Sequence, residues 1–317
     1  MPPRRFSYEP ERIGDDLFCL PLPLHDGSPV NSFVAVAPDG LRLIDGGLDT
    51  PECQATLERG LETLGYRLRD VRAILITHGH TDHVGAAPAV VAAGAALYAH
   101  PLEATDGRRL GFDEAWLRRH GMPAGGTPMR WGTRATWPAP SHLLEDGQRL
   151  AWGPLELQVI WCPGHTPGLV CLYEPARRIL FTTDHVMRRA RTPISLRSDV
   201  PGDPLADFLA SLDKLAALDV ETVLPGHGRP FHGLDRRLAE LRAEAAAQLD
   251  IIRQRLAHGP ASAFDLLQAG AEPARPVPER YAISQVLARL RYLEVRGEVR
   301  CQEAGGRFRY ALRERAA

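Results

Sequence analysis

Three imidazoles and one carboxylate fall within six residues of the segment Ile76-Thr77-His78-Gly79-His80-Thr81-Asp82-His83-Val84-Gly85, and that crowding restricts what the surrounding chain can build. The run before it, Val71-Arg72-Ala73-Ile74-Leu75-Ile76, is apolar and β-branched with strand character, and an Ala-rich run with helix character follows. The four side chains therefore sit on a strand-to-helix turn, where neighbouring groups can be aimed at one point. Imidazole nitrogen and carboxylate oxygen suit zinc, iron and manganese, and the motif holds no cysteine for a closed thiolate site. The pattern predicts an open, catalytic metal site.

Three later segments repeat the form of an apolar strand ending in His or Asp beside Gly or Pro. Leu157 to Trp161 runs into Cys162-Pro163-Gly164-His165-Thr166-Pro167-Gly168; Ile179-Leu180-Phe181-Thr182-Thr183 ends at Asp184; Thr222-Val223-Leu224 leads to Pro225-Gly226-His227-Gly228. Each alone reads as an ordinary loop residue. Together they supply what the first motif lacks, since two metal ions with an open position each need about seven protein ligands.

His-x-His-x-Asp-His, then Pro-Gly-His-Thr-x-Gly, an acidic strand end and Pro-Gly-His-Gly resemble, in order and spacing, the metallo-β-lactamase superfamily over roughly residues 10 to 235. The resemblance implies that His78, His80 and His165 hold one metal, that Asp82, His83 and His227 hold the second, and that Asp184 bridges them. It also implies an αββα sandwich, two mixed sheets back to back with helices outside and the metals at one edge. Thr183 stands where hydrolases of this superfamily usually have Gly, and a β-branched residue restricts the backbone there. The pattern is similar to glyoxalase II, lactonases and phosphodiester-cleaving members, because oxygen-reducing relatives carry Glu at the place of His80 and zinc β-lactamases generally lack the bridging Asp184. The implied chemistry is hydrolysis by a metal-bridged hydroxide, with Asp82 as a catalytic group that accepts a proton or aligns the nucleophile. Two divalent ions are expected, zinc before iron or manganese. The substrate class read from the chain is an ester, thioester or lactone, with a phosphodiesterase or endoribonuclease as the alternative. A nucleic-acid-binding regulator with a metal-sensing core is the third.

At 317 residues, 44% hydrophobic and 24% charged, the chain can bury a sizeable core and exceeds the usual single-domain length. The N-terminus has basic residues but no apolar stretch typical of a secretory signal, and the weakly polar run Val84 to Ala99 is too short to span a bilayer. Five cysteines, odd in number and without a Cys-x-x-Cys pair, suit a reducing cytosol, so a cytoplasmic location without membrane attachment is expected. Cys162 reads as a packed thiol. Leu17 to Leu24, Asn31 to Ala37 and Leu41 to Ile44 form a predicted meander, and a helix is predicted from Thr50 to Leu64. Asp45, ending the third of those strands, is either a plain turn residue or an orienting partner for a ligating histidine. Between His100 and Leu150, Trp116, Trp131 and Trp137 mark either a lid over the metal edge or aromatic anchors for a long loop, with a short helix over Phe112 to His120.

After about residue 235 helices replace strands: Asp235 to Ala257, Ser262 to Gln268 and Tyr281 to Val295, then a hairpin from Glu298 to Leu312 with Gly305-Gly306 at its turn. The expected organisation is thus α+β: a catalytic domain over 1–235 and a small, mainly helical, winged-helix-like domain over 236–317. The second part carries 15 Arg against 10 Asp and Glu, which leaves 23 basic and 29 acidic residues in the first out of 38 and 39 in all. That excess is modest, its signs alternate, and an acidic core repels phosphates. A structural or dimer-forming role is favoured over nucleic-acid binding, with a small molecule as the partner of the metal site. The short connection through Phe231 and Leu234 is unlike a flexible linker and predicts that the appendage packs over the metal edge and helps shape the pocket or an interface.

Overall fold

Alternation and turn chemistry lay down the first sheet in chain order: β1 (Glu11–Arg12), β2 (Leu17–Pro23), β3 (Pro29–Ala37), β4 (Gly40–Ile44), β5 (Val71–Ile76), β6 (Ala96–Ala99) and β7 (His142–Leu143). The computed structural model describes residues 6–103, 113–123, 138–200, 202–270 and 278–313. The meander β1 to β4 is antiparallel, whereas β4, β5, β6 and β7 run parallel. The second sheet holds β8 (Arg149–Trp152), β9 (Leu155–Trp161), β10 (Val170–Glu174), β11 (Ile179–Thr183) and β12 (Thr222–Pro225), all antiparallel except the parallel pair β11 and β12. A third, two-stranded sheet is the hairpin β13 (Val299–Ala304) and β14 (Arg307–Leu312). Its turn glycines Gly305 and Gly306 have φ of 60° and 74°, the left-handed pair that a two-residue hairpin turn requires.

The helices are α1 (Pro51–Thr63), α2 (Thr81–Val84), α3 (Ala87–Ala92), α4 (Glu114–Arg119), α5 (Pro204–Ala216), α6 (Leu234–Leu256), α7 (Ala263–Gln268) and α8 (Glu279–Val295). Thr50 caps α1 by accepting from the Cys53 amide, with Pro51 pre-set for the first turn, and Cys53, Leu57 and Leu61 line its buried stripe at fourfold spacing. Asp203 and Pro204 start α5 the same way, and its buried Leu205, Phe208, Leu212 and Leu215 face the second sheet. The Ala-rich run after the metal motif forms α3, while Asp82 and His83 of the motif itself already lie in the short helix α2.

Three apolar clusters define the layers. One lies between the two sheets, where Phe33 and Phe181 meet edge to face at 5.1 Å among Leu157, Val159, Leu172 and Leu224. A second joins the outer face of the first sheet to α1 and α3. The third covers the outer face of the second sheet and runs without a break from Cys162, Cys171 and Leu180, through Phe208 and Leu212, into Leu238, Ile283, Leu287 and Tyr310. The sequence-predicted sandwich of two sheets between helical layers is thus observed. Cys162 is a packed thiol, and all five cysteines are free.

Polar contacts fasten the C-terminal elements to the segment that follows Asp184. The Arg237 guanidinium donates to the carbonyls of Met187 and Ala190, each at 2.9 Å, and the Leu196 amide donates to the Ser284 carbonyl at 3.0 Å. Among the described residues no helix is long and apolar enough to cross a membrane. Of the three loop tryptophans, Trp131 and Trp137 lie outside the described residues; Trp116 sits on α4, its ring 4.7 Å from that of His120.

His120 joins α4 to the hairpin: Tyr310 Oη lies 3.0 Å from its Nδ1, and the Phe264 amide donates to its carbonyl. Burial, aided by the Arg119 charge, pushes its pKa down to about 4, so the ring is neutral at pH 7. An unfolded histidine takes up a proton near pH 6.5, so the stability that depends on neutral His120 is present above that value and lost as pH falls toward 4. Urea unfolding at pH 7 and pH 5 should show the wild type losing on the order of 1–2 kcal/mol more than His120→Phe between the two. Equal losses would contradict this assignment.

Candidate metal centre

The ends of four strands converge at one edge of the sandwich. After β5 the chain passes through Thr77 and His78 into α2, whose N-cap is His80 and whose first turn carries Asp82 and His83. After β9 the turn Pro163 to Gly168 presents His165; β11 ends beside Asp184, and β12 beside Gly226 and His227. Two groups result, His78, His80, His165 and Asp184 in one and Asp82, His83 and His227 in the other, each with ligand-type atoms within 4.8 Å of one another. All seven residues singled out in the sequence meet here.

In the first group His80 Nδ1 lies 3.0 Å from His78 Nε2 and 2.9 Å from His165 Nε2. Asp184 stands between the groups. Its Oδ2 is 3.6 Å from His165 Nε2 and 4.0 Å from His78 Nε2, whereas its Oδ1 is 3.4 Å from His227 Nε2 and 3.5 Å from His83 Nε2. Asp82 Oδ2 completes the second group at 3.3 Å from His227 Nε2 and 3.9 Å from His83 Nε2. His78 and His83 are fully buried, while Asp82, His80 and His227 are partly open to solvent. The site is closed behind and accessible in front.

The far ring nitrogens are tied down, which fixes which nitrogen faces inward. His165 Nδ1 donates to the Pro193 carbonyl at 2.8 Å, His227 Nδ1 to that of Pro29 at 3.3 Å, and His83 Nδ1 to Asp45 Oδ2 at 2.8 Å. Asp45 is the orienting partner, not a plain turn residue: its carboxylate also accepts from the Thr77 amide and hydroxyl, both at 2.8 Å. Its own φ of 60° is the left-handed conformation that Asp tolerates better than most residues. Thr183 adopts φ of 44°, a strained geometry for a β-branched side chain that costs about 1–3 kcal/mol. A buried contact of 2.9 Å between the hydroxyls of Thr77 and Thr183 holds it there. Gly226 is needed for space, because a Cβ would come within 2.5 Å of Asp184 Oδ1.

The electrostatics differ between the groups. Burial drives the His80 pKa down to about 3, with His165 adding to it, and burial likewise lowers His78 and His165. For His227 burial acts in the same direction, but the carboxylates of Asp184 and Asp82 outweigh it and push the pKa up to about 10. His83 Nε2 and Asp184 Oδ1 are buried without a hydrogen-bond partner. Imidazole and carboxylate atoms sealed from water without a hydrogen bond are costly unless a cation meets them, and nitrogen and oxygen donors in these numbers suit divalent zinc, iron or manganese. The residues therefore fit divalent metal, and metal uptake would replace protons on the second group.

Glu103 was not visible as a functional residue in the sequence. Its Oε2 accepts from the Gly79 amide at 2.7 Å and its Oε1 from the Gly168 amide at 2.6 Å. One carboxylate thus clamps the loop bearing His78 and His80 to the turn bearing His165. His100 stacks on Trp161, whose indole donates to the Pro167 carbonyl at 2.9 Å and anchors the same turn.

The family model of the metallo-beta-lactamase superfamily matches residues 25–227. A probable metallo-hydrolase of Bacillus subtilis is 23% identical over 251 residues, 73% of this chain and 77% of that protein. A hydroxyacylglutathione hydrolase of Fuscovulum blasticum is 33% identical over 181 residues, 57% of this chain and 56% of that protein. The crystal structure of a metallo-beta-lactamase family protein from Thermus thermophilus is 30% identical with a TM-score of 0.83, covering 95% of this chain and 100% of that one. Coverage this broad takes in most of the residues after 235, so the C-terminal elements are shared as well.

Replacing Glu103 by Ala removes both acceptors and should weaken metal retention by about 10- to 100-fold, the usual range for losing a group that orients ligands. Competition with a chelator measures it. Unchanged retention would show that the two loops hold their geometry without the clamp.

Proposed function

This chain belongs to the metallo-beta-lactamase superfamily, and from that premise we propose that it is a dinuclear metal-dependent hydrolase acting on an ester, thioester or lactone carbonyl. The observation that carries the proposal is Asp184, whose two oxygens face different ligand groups. His78, His80 and His165 would hold one ion, Asp82, His83 and His227 the other, and Asp184 both. Divalent ions held there supply Lewis acidity and activate water at neutral pH. The chain's own residues do the rest. Asp45, Pro193 and Pro29 hold the imidazoles in their inward-facing tautomers, and the buried walls of His78 and His83 keep solvent out from behind. Asp82, partly exposed at the open face, is placed to accept a proton at its carboxylate or to align the attacking water.

An acyl substrate is supported by the relative named as a hydroxyacylglutathione hydrolase and by the acidic balance of residues 1–235, which disfavours a polyanion. We read α6, α7, α8 and the hairpin as a winged-helix-like appendage with a structural role, because its apolar residues complete the cluster on the second sheet. A small molecule is the proposed partner, in a cytoplasmic setting.

Purified protein should contain two metal ions per chain by elemental analysis. Chelation should abolish hydrolysis, and zinc, iron or manganese should restore it. Asp184→Asn should lower kcat/KM by roughly 10²- to 10³-fold, as losing a key electrostatic group does. A panel of acyl esters, thioesters, lactones, bis-phosphodiesters and single-stranded RNA decides the substrate class. Activity that survives complete metal removal would end the proposal, and preferential cleavage of RNA or phosphodiesters would overturn its substrate class.

A further inference from the structure

Behind the segment that follows Asp184 lies a cavity of about 50 Å³, walled by α5, α6, α8 and residues 191 to 194. None of its lining residues is one of the seven in the metal groups. Part of its polar lining is unmatched. Arg289 Nη1 is buried there with no hydrogen-bond partner, and so are Glu244 Oε2 and Gln248 Oε1. Arg191 lines the same space, and among the described residues no carboxylate pairs with it or with Arg289. Other arginines of the C-terminal elements are matched: Arg237 with Glu240 and Glu244, Arg242 with Asp213, Arg253 with Glu298, Arg296 with Asp203. Burial and the neighbouring Arg191 charge lower the Arg289 pKa to about 10, the response of a guanidinium without a counter-ion.

Two guanidiniums facing one small cavity without an anion are costly, because no carboxylate pairs with either charge and Arg289 Nη1 is sealed from water. We propose that this cavity is a binding site for a small oxyanion carrying a hydroxyl, either a hydroxycarboxylate or a protonated phosphate. The oxyanion accepts from Arg289 and Arg191, and the hydroxyl donates to Gln248 Oε1 or Glu244 Oε2. The space matches that chemistry, since one water needs at least about 10–15 Å³ and 50 Å³ holds a compact head group rather than a long chain.

The site adjoins the metal centre through three residues. Thr192 Oγ1 donates to the carbonyls of Asp184 at 3.1 Å and His185 at 2.8 Å, and the next residue, Pro193, accepts from His165 Nδ1. An anion held by Arg191 therefore orders the segment that orients two of the metal-group residues.

The test uses the full-length protein with its metal content measured. Thermal unfolding is followed against inorganic phosphate and, separately, glycolate, at constant ionic strength and pH 7. The wild type should show a saturable rise in Tm of several degrees with at least one of them, and the arm that responds at lower concentration identifies the oxyanion class. Arg191→Gln and Arg289→Met should abolish that rise with metal content unchanged. Arg289→Met should also raise the Tm of the ligand-free protein, since it removes an uncompensated buried cation, whereas an arginine of purely structural value would leave a lower Tm on removal. No saturable rise in the wild type overturns the proposal. So does a rise that persists in Arg191→Gln, which would place the anion at the metal centre; this variant, on a partly exposed segment, also serves if Arg289→Met does not fold.

Discussion

Two buried hydroxyls, those of Thr77 and Thr183, meet at 2.9 Å where the two sheets come together, and the metal centre is built outward from that contact. On one side Thr77 is fixed by the Asp45 carboxylate, which also accepts a hydrogen bond from His83 Nδ1. On the other, Thr183 holds the left-handed turn that throws Asp184 inward between the ligand groups. A chain of three side chains thus sets the separation of β5 from β11 and the orientation of the ligands at their ends. Replacing Thr183 by Gly would relieve the backbone strain but remove the hydroxyl, which explains how a β-branched residue can stand where an unconstrained turn would favour Gly.

What could be read from the sequence was local. The four strand ends, the seven ligand-type residues and the meander each leave a signature within about ten residues, and periodicity exposes it. Asp45 was half legible: its position at a strand end suggested an orienting role, but only the fold distinguishes that role from a turn. Glu103 carries no signature at all, because its meaning is that Gly79 and Gly168, 24 and 65 residues away, arrive at the same carboxylate. The arginine cavity is hidden for the same reason, its walls being drawn from α5, α6, α8 and the segment after β11. Helix α5 goes unread at the level of sequence, although Asp203-Pro204 is a capping signal and Leu205, Phe208, Leu212 and Leu215 have helical spacing.

The change of pattern near residue 235 is real in element type and misleading as a seam in the packing. Strands do give way to helices there, yet the apolar cluster on the second sheet continues through Leu234 and Leu238 into α8 and the hairpin. Composition cannot reveal this, because an interface between a sheet and a helical layer looks the same in sequence as the core of either. The consequence lies in the segment from His185 to Val200. It is pinned from one side by the metal-group residues and from the other by Arg237 and Ser284. Any shift of the C-terminal helices must therefore reach Pro193 and the ring of His165.

Unsatisfied groups and strain concentrate in this part of the molecule. The left-handed Thr183, the unpartnered His83 Nε2 and Asp184 Oδ1, and the unpartnered Arg289, Glu244 and Gln248 atoms lie at the metal centre or in the cavity behind it. Elsewhere the sheets are well paired, with the buried Trp152 Nε1 and the left-handed Arg178 as exceptions. A protein tolerates such costs where a bound group repays them, and the rigid sandwich supplies the stability that lets one edge stay poorly matched without ligand. The two kinds of mismatch differ in sign: surplus imidazole and carboxylate atoms call for cations at the strand ends, whereas surplus guanidinium calls for an anion behind them. The segment Arg191 to Pro193 touches both, so each charge that fills its place fixes part of the frame that the other requires.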